Sequence, residues 1–176
     1  FSKRFGGATR SELPMKHVGI EYSYTQWGLR TAQDEFCQKL QPVPLTKERA
    51  SNDASELSPA EKTAYRGILG GLLWVCQTHL EAICDTVLLQ QHTTSPTIAH
   101  MKAANSVLAK IKKLSHGVGL LFGPLTPPFK LDTVCDSSGA TLGSSYAQEA
   151  AMVLLCEDHT VSVVASDSPS YHKVLT

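Results

Sequence analysis

The sequence has no apolar run that approaches the roughly 20 residues a helix needs to cross a bilayer. Its longest apolar stretch, from Gly67 to Val75, is short and contains glycine. Phe1 to Arg4 lack the apolar core of a signal peptide, and the start at Phe1 leads us to expect a piece of a longer chain. We therefore expect no membrane contact and an intracellular location, either cytoplasmic or nuclear.

Cysteine pairs are also missing, because no two cysteines have C-x-x-C spacing. The five cysteines are Cys37, Cys76, Cys84, Cys135 and Cys156. An odd number, each among apolar neighbours, predicts reduced and mostly buried thiols of an intracellular protein. A disulfide framework or a closed zinc site would need pairs that the chain does not offer.

Several enzyme motifs are absent as well. The chain has no P-loop, no dinucleotide-binding glycine pattern and no G-x-S-x-G element. Its seven histidines are scattered along the sequence. No histidine and acid can be identified that would activate a serine as a nucleophile. We interpret His100 as a packed or capping residue rather than a metal ligand.

Acidic residues are missing between Asp85 and Asp132, although the formal net charge of the whole chain is zero. The lysines between them are Lys102, Lys110, Lys112, Lys113 and Lys130. A basic segment inside a neutral chain is a weak local signal for phosphate binding.

What the chain does contain predicts an α+β fold. Its 176 residues, 42% of them hydrophobic, suffice for one domain or two small units. His17–Tyr24 alternates apolar and polar residues, Gln26–Gly28 is typical of a turn, and Leu29–Thr31 returns, which predicts an N-terminal β-hairpin. We predict a short helix over Gln33–Leu40 and a loop from Gln41 to Leu57.

The clearest local signal is the sequence Ser58-Pro59-Ala60-Glu61, a capping box with proline at the first helical position. Apolar residues with helical spacing follow it: Tyr65, Ile68, Leu69, Leu72, Leu73 and Cys76. We expect Gly67, Gly70 and Gly71 to allow another backbone to approach closely. The helical pattern resumes from Leu80 to Gln91, after a break near Thr78.

A third helix is predicted to begin at Ser95-Pro96 and to end near Gly117. Steps of 100° per residue place Lys102, Lys110 and Lys113 opposite its apolar face. Two interpretations are open. The commoner one is a solvated lysine face, and the functional one is contact with a nucleic-acid backbone.

Three prolines and a glycine between Gly123 and Pro128 predict a boundary between units 1–123 and 129–176. Beyond it the period changes to that of strands, at Lys130–Cys135, Gln148–Cys156 and His159–Ala165. The first strand is predicted to end at Asp136, a position suited to a metal-binding acid or to a solvated turn residue. The second unit therefore reads as a partial antiparallel sheet.

Four segments in this order resemble the C-terminal part of a copia-type retrotransposon reverse transcriptase that runs into its ribonuclease H domain. They are HVGIEYSYTQWGLRTAQDEFCQKL, AYRGILGGLLWVCQT, SPTIAHMKAANSVLAKIKK and LDTVCDSSGA. The resemblance extends from about Phe5 to Thr176. It implies that unit 1–123 is the palm end with a thumb- or connection-like helical region. It also implies that unit 129–176 is a truncated, ribonuclease H-like sheet.

The resemblance implies a parent activity of RNA-directed DNA synthesis and RNA-strand hydrolysis, with Mg²⁺ in the complete enzyme. Asp136 matches the first catalytic, metal-binding acid of ribonuclease H. The implied partners are an RNA–DNA hybrid, bound weakly through Lys102, Lys110 and Lys113, and the rest of the polyprotein.

The sequence also departs from that family. His79-Leu80-Glu81 stands where the family has arginine-proline-aspartate, and the paired polymerase aspartates are absent from the chain. Of the ribonuclease H carboxylates only Asp136 has a matching position, and one carboxylate does not hold two Mg²⁺ ions. We therefore expect no catalysis and no stably bound metal in this chain alone. The alternatives are a non-catalytic module that binds nucleic acid or a partner, and a decayed retroelement remnant.

Overall fold

The computed structural model describes residues 11–114 and 119–124, and the backbone of strands at 130–138, 146–157, 160–167 and 170–172. It is an α+β structure, as predicted, with two separate antiparallel sheets of four strands each. In the part of the chain so described, no helix has the length and apolar character needed to span a membrane.

The first sheet has the strand order β1-β2-β3-β4. Its strands are β1 (Met15–His17), β2 (Ile20–Thr25), β3 (Gly28–Ala32) and β4 (Leu120–Phe122). The predicted hairpin is confirmed, because Gln26 and Trp27 connect β2 to β3 and Thr25 pairs with Gly28. The predicted start of the first strand was wrong: Val18 and Gly19 both have positive φ and form a turn between β1 and β2.

Strand β4 joins this sheet through two close backbone approaches at glycines. A Cβ on Gly28 would lie 2.1 Å from the Phe122 carbonyl oxygen, and Gly28 has a φ of 137°. A Cβ on Gly119 would lie 2.3 Å from the Thr31 carbonyl oxygen. Only glycine leaves room for a neighbouring backbone at such distances. Through these contacts β4, which follows all the helices in the sequence, pairs with β3 of the N-terminal hairpin.

The helices lie between β3 and β4 in the sequence. They are α1 (Asp34–Lys39), α2 (Lys47–Ala50), α3 (Pro59–Val75), a 3₁₀ turn (Leu80–Ala82), α4 (Ile83–Gln90) and α5 (Ile98–Leu114). The predicted break near Thr78 is present. The short helix α2 lies in a segment that we predicted as loop, and Thr46 caps it by accepting the Arg49 N–H.

The predicted capping box at the start of α3 is confirmed. The Ser58 hydroxyl accepts the Glu61 N–H at 3.3 Å, and the Ser58 N–H donates to the Glu61 carboxylate at 2.7 Å. Arg49 adds two donors to the same carboxylate, at 3.1 and 2.8 Å. The Arg49 guanidinium, followed by the Ser58 N–H, lowers the pKa of Glu61 to about 2. This cluster fixes the end of α2 against the start of α3.

In the described structure, none of the three glycines of α3 shows the close backbone approach that we expected. A Cβ added to Gly67 or Gly70 would meet nothing within 4 Å. A Cβ on Gly71 would lie 2.6 Å from a methyl group of Leu40, which is a side chain and not a backbone. Interior glycine costs a helix up to about 1 kcal/mol relative to alanine. Gly67 and Gly70 carry that cost without a packing reason in the described structure.

The core of the helical region lies between α3, α4 and α5. Its fully or almost fully buried members include Tyr65, Leu69, Leu72, Val75, Ile98, Met101, Leu108 and Ile111. The Tyr65 hydroxyl donates to the Leu89 carbonyl at 2.7 Å, so the one polar atom of this ring is satisfied inside the core. Burial raises the pKa of Tyr65 to about 12.

The predicted beginning of the third helix was two residues early. Helix α5 begins at Ile98, because Ser95-Pro96 belongs to the preceding loop, where the Pro96 carbonyl accepts the Leu57 N–H at 3.0 Å. The Ile98 and Ala99 N–H groups donate to the carbonyls of Ser55 and Asp53 at 2.9 and 3.0 Å. The loop before α3 thus satisfies amides at the start of α5. The end predicted near Gly117 lies outside the described residues.

Of the three cysteines whose side chains the structure describes, two follow the prediction of buried thiols. Cys37 and Cys76 are buried and free, whereas Cys84 on α4 is exposed, which corrects our expectation for that residue. Burial, followed by the charge of Asp34, raises the pKa of Cys37 to about 11. Burial likewise raises the pKa of Cys76, whose Sγ lies 3.6 Å from the Thr86 hydroxyl oxygen.

The second sheet begins with the antiparallel series β5 (Lys130–Ser138), β6 (Tyr146–Glu157) and β7 (Thr160–Asp167). These are the three predicted strands, each longer than we expected. A fourth strand, β8 (Ser170–His172), was not predicted and pairs with the start of β6. Residues 125–129 lie outside the described residues, so the boundary between units 1–123 and 129–176 stays a prediction.

Candidate nucleic-acid interface and carboxylate site

Three exposed lysines follow one side of α5, as the sequence predicted. We call Lys102, Lys110 and Lys113 the lysine face. The opposite side of the helix is buried through Ile98, Met101, Ala104, Val107, Leu108 and Ile111. The apolar spacing therefore determines which lysines point away from the core.

Lys102 is held by the last residue of α2 and by the loop that follows it. Its ammonium donates to the Ala50 carbonyl and to the Asp53 carboxylate, both at 2.6 Å. Both side chains remain substantially exposed, and exposed ion pairs stabilise a protein by only about 0–1 kcal/mol. A phosphate group can therefore compete for Lys102 at small cost, but Asp53 offsets part of its attraction.

Lys110 also has an acidic neighbour. Its ammonium lies 3.7 Å from the Asp85 carboxylate of α4, and both side chains are about half exposed. The two residues border a groove of about 350 Å³ between α4 and α5. The groove is also lined by Leu88, Leu89, Ala103, Ser106 and Val107. The positive charge of the acid-free segment is thus partly neutralised by Asp85, the acid at the N-terminal border of that segment.

Lys113 differs from the other two lysines of the face. It is exposed, and no carboxylate pairs with it among the residues that the structure describes. The neighbouring Lys112 has another role, because its ammonium donates to the Gln38 carbonyl at 3.1 Å and joins α5 to α1. Within the lysine face, Lys113 is therefore the most available positive charge.

Asp136 lies in strand β5, where its Cα pairs with that of Ala150 in β6. The strand continues to Ser138, so our prediction that Asp136 ends the strand was wrong by two residues. A run of nine residues in register with β6 explains the difference, because backbone pairing continues past the apolar stretch. Asp136 is consequently an interior residue of the strand.

The register also places the other acids of the second sheet. Ser137 pairs with Glu149, and Ala151 pairs with Asp167. Because successive residues of a strand alternate between faces, positions 149 and 167 lie on the face opposite position 136. Asp132 shares the face of Asp136 but is four residues away, a separation of roughly 13 Å along a strand.

This arrangement does not fit a two-metal site. Two Mg²⁺ ions about 4 Å apart need several carboxylates on the same side of the sheet. Of the acids placed by the described strands, none joins Asp136 at that spacing. Among the described side chains, no group of three or more histidines, cysteines or acids has the geometry of a metal site. We therefore derive no catalytic step through a metal in this chain.

A buried polar cluster near the end of α3 was not predicted. The Thr78 hydroxyl donates to Gln33 Oε1 at 2.9 Å, and His79 Nδ1 lies 2.8 Å from the Glu81 carboxylate. Gln33 and His79 are completely buried, and the Nε2 atom of each lacks a hydrogen-bond partner in the described structure. This is the segment in which the sequence departs from the copia pattern. Here the imidazole and the carboxylate pair with each other.

The first sheet presents an apolar face that the alternation of Ile20, Tyr22 and Tyr24 had indicated. A cavity of about 350 Å³ separates this face from the end of α3. It is lined by Ile20, Tyr22, Leu29, Thr31, Gln77, Thr78, Leu120 and Phe122. Tyr24 and Trp27, at the end of the hairpin, are mostly exposed.

Comparisons with protein-family models, curated proteins and solved structures found no match to this chain.

Proposed function

We propose that this chain is part of a copia-type retrotransposon polyprotein, spanning the end of the reverse transcriptase and the start of ribonuclease H. In this proposal the parent enzyme performs RNA-directed DNA synthesis and RNA-strand hydrolysis. The chain itself contributes weak hybrid binding and structural support rather than catalysis.

The observation that carries this proposal is the antiparallel series β5-β6-β7 with Asp136 in its first strand. It follows the helical region in the order that the four resembling segments imply. The register brings no second acid to the face of β5 that carries position 136 at metal-site spacing, which supports the expectation that a metal site would need the remaining polyprotein. The exposed lysine face of α5 supports the weaker expectation of contact with a nucleic-acid backbone.

We expect the isolated chain to leave the RNA strand of an RNA–DNA hybrid intact in Mg²⁺ or Mn²⁺, and Asp136→Asn to change nothing. One carboxylate does not position two metal ions or stabilise the charge that develops at the scissile phosphate. The measurement is gel analysis of end-labelled hybrid after incubation with each protein. Cleavage by the wild type that disappears in Asp136→Asn would contradict the expectation that this site is incomplete.

Hybrid binding should be weak and should depend on the lysine face. Simultaneous alanine substitution of Lys102, Lys110 and Lys113 is expected to reduce affinity for a labelled hybrid by about tenfold at 50 mM salt. Three phosphate contacts imply a slope of log K against log salt of roughly −3 or shallower. Fluorescence anisotropy at several salt concentrations measures both quantities.

Two control variants make this test specific. Alanine at Lys16, Lys39 and Lys62 removes the same charge from other surfaces and should reduce affinity less. Asp53→Asn with Asp85→Asn frees Lys102 and Lys110 from their acidic partners and should raise affinity. Equal losses in both triple variants would show that net charge, and not the lysine face, determines binding.

A partner-binding module is the second candidate. The half-exposed apolar face of the first sheet and the exposed side chains of Tyr24 and Trp27 favour it, since such surfaces commonly mark interaction sites. Salt-insensitive self-association that disappears in a Tyr24→Ser, Trp27→Ser variant, together with no measurable hybrid binding, would favour this function over the first.

A further inference from the structure

Helices α3 and α5 begin with the same hydrogen-bond geometry but with different capping chemistry. Helix α3 begins Ser58-Pro59-Ala60-Glu61, and the corresponding residues of α5 are Thr97-Ile98-Ala99-His100. In both, the third helical residue accepts the N–H of the capping residue. In α3 the acceptor is a carboxylate, and in α5 it is an imidazole nitrogen.

The hydrogen bonds at the start of α5 determine the protonation state of that imidazole. The Thr97 N–H donates to His100 Nδ1 at 3.0 Å, and the Thr97 hydroxyl lies 3.1 Å from the same nitrogen. A nitrogen that accepts an N–H bond has no proton of its own. The structure therefore requires a neutral His100 with its proton on Nε2.

A second histidine lies directly against the first. The rings of His92 and His100 are stacked, with centroids 4.0 Å apart and planes inclined by 12°. Partial burial, followed by the charge of His92, lowers the pKa of His100 below its ordinary value of 6.5. Stacking is favourable while both rings are neutral, and it becomes repulsive when both carry charge.

Charged groups on the surrounding elements include Asp53, Glu56, Lys62, Arg66 and Lys102. The two acids are paired with Lys102 and Lys62, at 2.6 and 3.5 Å. Arg66 donates to the Thr93 carbonyl at 3.3 Å. The charge that acts on the His100 ring is that of the stacked His92. The backbone of Glu56 is bridged to that of Thr97, and the Glu56 carboxylate is paired with Lys62.

We propose that Thr97 and His100 form an acid-sensitive cap that releases the start of α5 when His100 is protonated. Protonation of Nδ1 removes the acceptor of the Thr97 N–H. It also places a positive charge at the N-terminal end of a helix, where the helix dipole disfavours cations. Both effects act on the same turn of α5 and have the same sign.

The sign of the pH dependence follows from the lowered pKa. A histidine whose pKa is lower in the folded state stabilises the fold fully above its unfolded-state pKa of about 6.5. This stabilisation is lost as the pH falls through the folded-state pKa. Release of this turn would weaken the hydrogen bonds that the Ile98 and Ala99 N–H groups donate to the carbonyls of Ser55 and Asp53. Lys102, which pairs with Asp53, would then be held less firmly.

Amide hydrogen exchange of the whole chain tests this cap, with wild type and His100→Gln compared between pH 7.5 and 5.0. Glutamine at this position accepts the same N–H in ordinary capping boxes and does not titrate. After correction for intrinsic exchange, protection of the Thr97 to Ala99 amides in the wild type should fall by about tenfold, the order expected for loss of a cap. Protection in His100→Gln should stay constant. The Leu108 amide, in the middle of α5, reports global unfolding in both proteins.

Equal losses in the two proteins, or constant protection in the wild type, would overturn the proposal. If His100→Gln fails to fold, ¹⁵N NMR of the wild-type imidazole provides the second measurement. Protonation of Nδ1 must then coincide with a shift of the Thr97 amide resonance, and titration without that shift also contradicts the cap. His92→Phe keeps the stacked ring without its charge and should move the transition to higher pH.

Discussion

Alanine at Gly28 is expected to lower the free energy of unfolding by about 3 kcal/mol and to disrupt the pairing of β4 with β3. The new Cβ would lie 2.1 Å from the Phe122 carbonyl oxygen and 2.9 Å from the Gly123 Cα. Both neighbours are backbone atoms, so relief requires movement of a strand rather than a rotamer change. The φ of 137° adds strain, because residues with a Cβ rarely adopt it.

Gly70→Ala is the matched control, because it adds the same methyl group where nothing lies within 4 Å. It should raise stability by about 0.5–1 kcal/mol, the usual gain from replacing an interior helical glycine. Urea unfolding gives both free energies, and amide exchange at Leu29 and Thr31 reports the pairing with β4. Similar stability of the two variants would show that β4 does not pack against β3 as described.

Local sequence signals predicted the helices well because capping and apolar spacing are short-range. Ser58 and Glu61 lie within one turn of each other. The apolar residues that follow them along α3 recur every three or four positions. The same device misled us at Ser95-Pro96, where the true first turn carries threonine and histidine. Our interpretation of His100 as a packed or capping residue is confirmed, but the amide that it accepts follows only from the position of the imidazole in the structure.

The first sheet was harder to predict, because β1 and β4 have three residues each and show no measurable alternation. Strand β4 also joins the sheet from the far side of all the helices. Its pairing depends on the space above Gly28, which is a tertiary property. The two-residue turn at Val18 was hidden because valine is an unusual residue at positive φ.

The candidate sites depended still more on long-range structure. Lys102 and its partner Asp53 are 49 residues apart in sequence, so the acid-free stretch overstated the free positive charge of α5. The carboxylates of the second sheet could be found in the sequence, but their faces follow only from the register. That register separates Asp136 from Glu149 and Asp167.

Leu72 and Leu73 provide the sharpest test of how α3 is oriented. The sequence pattern placed both leucines on the apolar side, whereas the structure buries Leu72 completely and leaves Leu73 39% exposed. Adjacent residues of a helix point in directions 100° apart. Because only a narrow strip of α3 contacts the core, two neighbouring leucines can differ strongly in burial. Leu72 lies in the centre of the packed region and Leu73 at its border.

Leu72→Ala should lower the free energy of unfolding by about 2–5 kcal/mol, through lost burial and the cavity left behind. Leu73→Ala removes the same atoms from a position that is 39% exposed and can fill with solvent, so its cost should be smaller, about 1 kcal/mol. Urea unfolding of both variants measures the difference, with equal m-values as evidence that the unfolding mechanism is unchanged. Comparable losses would mean that α3 is rotated from the orientation described. The buried hydrogen bond between Tyr65 and Leu89, which depends on the same orientation, would then also be wrong.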